Sequence, residues 1–425
     1  MPISRRDVLR ALAASPWVGA CRPRHRPERQ DGRTVVTFWF AYGGRVRSVL
    51  LELVAKFNAA QARAVVRPVF QGDYFEALAK LRTALVAGVA PALSHVVLEV
   101  IPYLARAGVL EALDGYEGAE AIPFVPALGQ YGAFESAERE PLVSIPFNRS
   151  TPIAFLNARV FDEAGLAPPK TWDELAAIAA RLTRREASGE VRWGFEVPVS
   201  WWYWVAMVGQ AGGRLVDPAG RVTLGGDAGE KALAYWQRLV HRDRVMRPPP
   251  GRDYQAWQST NESFIQGRIA MMWSSTAFVR YLEDTARFPV LAAPLPGEVR
   301  RSVPTGGSAF VLMRAAPDEE KRAAWDFVRW MCEGEQTMEW SKRTGYMPVT
   351  THAADEFSSR GWYARHPNDR VAYDQLAVAD PWPWCPDLFR WEREVVEPRL
   401  EEAVLTGRDA RQTMAEARDE AARTA

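Results

Sequence analysis

IPFNRSTPIAFLNARVFDEAGLAPPKTWDEL, residues 145–175, runs from an extended segment through a polar break into a strand, a short helix, a Pro-Pro turn and a capped helix. Ile153 to Leu156 is an apolar run of strand length. Asn148, Ser150 and Thr151 stand just before it with Pro152, where their polar groups are expected to face a cleft. Thr171 and Glu174 have the spacing of a capping box ahead of the apolar positions Leu175, Ile178 and Leu182. A strand followed by a capped amphipathic helix is the unit of an α/β sheet.

The same unit repeats on the N-terminal side. A strand is expected at 35–40, then a Gly43-Gly44 turn and a helix with Val46, Val49, Leu50, Leu53, Val54 and Phe57 on one face. A second strand, 65–70, leads through Gln71-Gly72-Asp73 into a helix carrying Tyr74, Leu78, Leu81 and Leu85. A buried strand, 94–100, follows and carries Glu99 at its C-terminal end, an unusual place for a carboxylate. Downstream, strands are expected at 193–197, 269–273 and 308–313, helices at 231–240 and 261–267, and a mostly helical region from Asp318 on. A Trp/Pro-rich loop interrupts that region around 379–386.

The totals narrow the function. A chain of 425 residues holds two or three domains, and a net charge of +1 without basic blocks excludes a dedicated nucleic-acid binder. The 17 tryptophans are either core or, in part, platforms for a sugar, polyol or cation. The histidines are scattered and no paired-cysteine motif occurs, so no metal is expected. No Walker A, G-x-G-x-x-G or G-x-S-x-G pattern is present, and no pair of carboxylates stands in a diagnostic setting. The expectation is a non-enzyme without a cofactor. Residues 1–21 read as an export signal, with Arg5-Arg6 and then Val18-Gly19-Ala20-Cys21 as a lipidation box. Residues 22–33 read as a flexible tether. Cys332 and Cys385 remain, bonded or free.

The stretches TFWFAYGG, FQGDYFEAL, LEV, IPFNRSTPIAFLN, PPKTWDEL, WSST, TGGSAFVLM and RTGYMPVT occur in an order that resembles the extracellular solute-binding proteins of family 1, the receptors of ABC importers. The resemblance covers residues 35–415 and is nearest to members that take glycerol 3-phosphate. It implies a two-lobed α/β periplasmic-binding-protein fold with a hinged ligand cleft and a helical C-terminus. Lobe one is expected to comprise 34–146 plus 276–330, and lobe two 147–275 plus 331–425. It also implies a monomer that hands a phosphorylated polyol or a sugar to permease subunits and touches the membrane only through its lipid.

Matched position by position, the resemblance assigns Tyr74 and Glu99 to the glycerol hydroxyls and Trp172 to the carbon backbone. Ser150 joins them, and Ser275, Gly307 and Tyr346 cradle the phosphate, with Ser274 as the alternative to Ser275. Arg393 supplies the planar fork suited to phosphate oxygens. Arg149 departs from the pattern, standing where the family has Ser. Trp382 and Trp384 are extra, and either border a larger group such as a choline or pack the C-terminal helices. Three other readings stay open: an oligosaccharide receptor using Trp201, Trp202 and Trp204 as platforms, a secreted hydrolase, and a surface lipoprotein that binds another protein.

Overall fold

The computed structural model describes residues 27–129, 134–135, 141–185, 189–251 and 253–424. The expected export signal, 1–21, with its Cys21, lies outside the described residues. The principal strands are β1 (Arg33–Phe40), β2 (Ala64–Phe70), β3 (Leu93–Val97), β4 (Ile145–Ser150), β5 (Pro152–Asn157), β6 (Val191–Glu196), β7 (Ile269–Ser275), β8 (Val290–Ala293) and β9 (Gly306–Leu312). The helices used below are α1 (Gly44–Ala60), α2 (Tyr74–Ala87), α3 (Trp172–Leu182), α4 (Trp201–Gln210), α5 (Asp227–Gln237), α6 (Asp253–Ile265), α7 (Asp318–Met331), α8 (Gly334–Thr344), α9 (Glu397–Thr406) and α10 (Ala410–Thr424).

Two sheets form the two lobes. The first has the order β2-β1-β3-β9-β4, with β1 parallel to β2 and β3, and β9 antiparallel to both of its neighbours. The second has the order β8-β5-β7-β6, antiparallel except for β7 beside β6. The apolar face of α1 (Val49, Leu50, Leu53, Phe57) and that of α7 (Ala324, Phe327, Val328) share one core with Val36, Phe38 and Phe40 of β1. The helical periodicity of α1 thus meets a strand buried on alternate residues, as the sequence pattern requires. A second core continues from α2 (Leu78, Leu81) to the far sheet (Met271, Trp273) and into α9 and α10 (Leu400, Met414).

The crossing between sheets is one residue long: Thr151 separates β4 from β5. It is tied on both sides. Its carbonyl accepts the Thr276 N–H at 3.1 Å, and its hydroxyl accepts from Gln375 Nε2 at 3.1 Å. Sheet membership moves the expected crossing points. All of 145–150 stays on the first sheet, and Val290–Ala293 pairs with β5, so the chain returns to the first sheet only after 293. Helix α8 packs on α1, and its Trp340 fills the core beside Phe147 and Tyr42, so 334–344 goes with the first sheet rather than the second. Part of the expected tether, 22–33, is built into the first sheet. Arg29–Gln30 already pairs with Arg33–Thr34, and Arg29 bridges to Glu319 at 2.5 Å.

Local chemistry explains several element ends. Thr171 Oγ1 accepts the Glu174 N–H at 3.1 Å, one half of the capping box. Glu174 returns its bond to the Lys170 N–H at 2.6 Å, one residue earlier than the standard partner. Pro398 lies in the first turn of α9 and has no N–H for the preceding carbonyls, and the turn before it, Trp391–Val396, opens into a π-helix. Cys332 is buried, Cys385 is half-buried, and both are free thiols. Among the described residues no helix is long and apolar enough to cross a membrane.

Candidate functional site

The elements that meet at the crossing carry most of the expected site residues. The carboxylate of Asp73 caps α2, accepting from the Phe75 and Glu76 N–H groups at 2.9 and 2.8 Å. That cap sets Tyr74 at the mouth of the helix. The Tyr74 hydroxyl accepts from Asn148 Nδ2 at 3.1 Å. Asn148 is fully buried, and its Oδ1 accepts the Ser308 N–H at 3.0 Å and the Ser308 hydroxyl. The Tyr346 hydroxyl interacts with Tyr74 and Asn148, and its ring stacks on Trp340 with centroids 5.8 Å apart. Burial holds the Tyr42, Tyr74 and Tyr346 phenols above their ordinary value, so all three remain O–H groups at neutral pH.

Gly307 is structural as well as central. Its φ is +95°, and a Cβ there would lie 1.7 Å from the Asn148 carbonyl oxygen. A β-bulge between Gly307 and Ala309 lets β9 pair with Arg149 and Ser150 of β4 around it. Ser150 is buried opposite Gly306. Ser275 Oγ accepts the Ala277 N–H at 3.2 Å, which caps the turn beside Thr151. Ser274 instead donates to Asn261 Oδ1 at 3.1 Å and points into the α6 packing.

Glu99 does not end a strand. β3 stops at Val97, and Glu99 sits in the single 3-10 turn Leu98–Val100, 6% exposed. Burial pushes its carboxyl up to about 7, with Glu397 acting in the same direction and Arg149 against it. Arg149 is buried, and its Nη2 donates to Thr305 Oγ1 at 2.7 Å. Desolvation pulls its guanidinium down to about 9, which Glu99 opposes, and it stays charged at neutral pH. The Thr305 carbonyl accepts two indole N–H groups, from Trp382 at 2.8 Å and from Trp202 at 3.3 Å. Trp202 is half-buried and lies against Trp257, 5.6 Å between centroids.

Arg393 stands on the C-terminal π turn, Trp391–Val396. Its guanidinium lies 3.8 Å from the centroid of Phe75, the residue after Tyr74, and its Nη1 donates to Glu397 Oε2 at 2.5 Å. Trp172 is placed differently from the rest. Its Nε1 donates to Gln210 at 2.7 Å and its ring stacks on Tyr235 at 4.6 Å, within the core of the second lobe. No hydrogen bond or ring contact joins it to Tyr74, Glu99 or Arg149 among the described residues. Trp201 and Trp204 are fully buried, Trp201 stacking on Trp382, which leaves Trp202 as the accessible ring of that trio. Trp382 is core too, and lines a separate cavity of about 70 Å³ with Arg300, Ser302 and Asp380.

The site therefore combines hydroxyls, a carboxyl poised between its two forms, two guanidiniums and aromatic rings. Such a set matches a small polar ligand bearing hydroxyls and negative charge. Among the described residues no cluster of His, Cys, Asp and Glu could hold a metal ion. Sequence reasoning missed the roles of Asn148 as the hub, Thr305 as the shared acceptor and Phe75 as the seat of Arg393. The adjacency of Phe75 to Tyr74 was the available signal for the last of these.

Residues 52–368 match the profile described as bacterial extracellular solute-binding protein. The chain is 26% identical over 397 residues to the sn-glycerol-3-phosphate-binding periplasmic protein UgpB of Yersinia pseudotuberculosis, covering 88% of each. It is 25% identical to UgpB of Escherichia coli at the same coverage. Among solved structures it resembles UgpB from Mycobacterium tuberculosis in complex with glycerophosphocholine, with a TM-score of 0.78, 24% identity and coverage of 92% of this chain and 98% of that one. It also resembles maltose-bound MalE3 of T. maritima, with a TM-score of 0.80, 18% identity and coverage of 92% and 100%.

Proposed function

Because the chain belongs to the bacterial extracellular solute-binding proteins, which capture a small molecule and deliver it to an ABC permease, we propose that its ligand is glycerol 3-phosphate or a glycerophosphodiester such as glycerophosphocholine. The observation that carries this reading is the meeting of Tyr74, Glu99, Tyr346 and a guanidinium around the sheet crossing. Tyr74 and Glu99 take the glycerol hydroxyls. Ser150, Ser275, Gly307 and Tyr346 surround the phosphate, and Arg393 closes the site from the C-terminal helices. Trp172 acts from behind, through the packing of α3 on α5. Closure follows from ligand contacts made to both lobes, since only differential affinity shifts an open–closed balance. The UgpB relatives support the ligand class.

A thermal-shift panel tests it. Glycerol 3-phosphate or glycerophosphocholine at about 100 times Kd adds roughly 2.7 kcal/mol of stability and raises the melting temperature, whereas maltose leaves it unchanged. A rise with maltose alone would overturn the reading in favour of an oligosaccharide receptor. The half-buried wall of Trp202 and Trp257 is the feature that favours that second reading.

The protein is held at the membrane by a lipid on Cys21, as the Arg5-Arg6 pair followed by Val18-Gly19-Ala20-Cys21 supports. Cys21→Ser moves it from the membrane fraction to the soluble fraction; equal fractionation of both forms removes the anchor.

A further inference from the structure

Arg149 is 1% exposed, yet its charge is only partly matched. Nη2 donates to the neutral hydroxyl of Thr305, and Nε has no hydrogen-bond partner among the described residues. Arg149 makes no ion pair among them either. Glu99, the acid that pulls on it electrostatically, leaves its own Oε2 without a partner. A buried guanidinium left in this state is costly, and folded chains seldom keep one without a compensating partner. Arg393 is in a different state. It is bonded to Glu397 and lies over Phe75.

The backbone of Arg149 is also unusually well held. It pairs with Gly307 on one side, and its carbonyl accepts the Met347 N–H at 3.0 Å on the other. It stands two residues from Thr151, the one-residue crossing between the sheets. A charged fork on a strand fixed from both sides, with an unused N–H, meets the geometric demand of an anion anchor.

We propose that Arg149 is the principal phosphate anchor of the cleft, donating from Nε–H to the ligand's phosphate oxygens while Glu99 Oε2 meets a ligand hydroxyl. This rests on the phosphate-ligand reading above. Thr305 is a positioning residue that orients the guanidinium. Opening about Thr151 admits the ligand, whose anion supplies the charge that the chain omits.

The test is titration calorimetry with sn-glycerol 3-phosphate and with glycerophosphocholine on wild type and Arg149→Met, together with melting of both proteins without ligand. Methionine fills similar space without charge. The proposal expects affinity to fall on the order of 100-fold, with the ligand-free variant melting at or above the wild-type temperature. A folded variant with unchanged affinity overturns it. If Arg149→Met does not fold, Arg149→Gln replaces it; failure of both to fold makes Arg149 a structural residue and overturns the proposal. A wild type that binds no phosphate ligand removes the functional reading itself, an outcome distinct from a variant that binds as tightly as wild type.

Discussion

Glu99 is held near the middle of its titration by opposing effects: burial and Glu397 raise its carboxyl from the ordinary 4.5 to about 7, and Arg149 resists. The sign of the consequence is fixed. A carboxyl whose folded value is raised favours folding when protonated, so its contribution is complete below about pH 4.5 and is lost as the pH rises through about 7. Glu99→Gln removes that dependence. Urea unfolding of the ligand-free protein at pH 5 and pH 8 should show the variant gaining stability relative to wild type at pH 8. A difference between the two proteins that is the same at both pH values would show that Glu99 is not raised. The proposed role in recognition is compatible with this state, because a carboxyl that accepts or donates at neutral pH can meet a ligand hydroxyl in either sense.

Strand β9 shows how one element builds the site through its backbone. Gly307 adopts φ +95°, and the bulge that follows lets Asn148 reach Ser308 while Arg149 turns toward Thr305. Gly307→Ala brings a Cβ into the Asn148 carbonyl. It should lower stability by about 2–4 kcal/mol and weaken ligand binding with it. A melting temperature within a degree of wild type would contradict this account of the bulge.

Much at this scale was legible in the sequence. The face of α1, the Thr171 cap of α3 and the strand at 269–273 follow from periodicity and cap chemistry, which are local signals. What escaped was set by long-range contacts. Glu99 reads as a strand end, but the chain turns into a 3-10 helix after Val97. Trp172 carries a family word, yet Gln210 and Tyr235, far along the chain, claim its indole. Arg149 stood out only as a departure. Its burial and its bond to Thr305, 156 residues away, had no local signature.

At the scale of the whole molecule, two sheets joined at Thr151 carry the residues of the proposed site between them. Tyr74, Glu99, Asn148 and Arg149 belong to the first sheet and its connections, and Tyr346 joins them through Trp340 on α8. Ser275 lies at the end of β7 on the second sheet, and Arg393 comes from the C-terminal helices that pack on α5. Sequence order suggested two lobes but placed the returns early, because strand pairing between distant segments decides where the chain changes sheets. An arrangement with contacts from both sides of one short crossing suits capture by closure. The central claim is that the captured solute is a glycerol phosphate. Titration calorimetry of the purified protein with sn-glycerol 3-phosphate and, separately, with maltose tests it most directly. The account predicts saturable one-to-one binding of glycerol 3-phosphate and no heat with maltose; saturable binding of maltose with no response to glycerol 3-phosphate or glycerophosphocholine would contradict it.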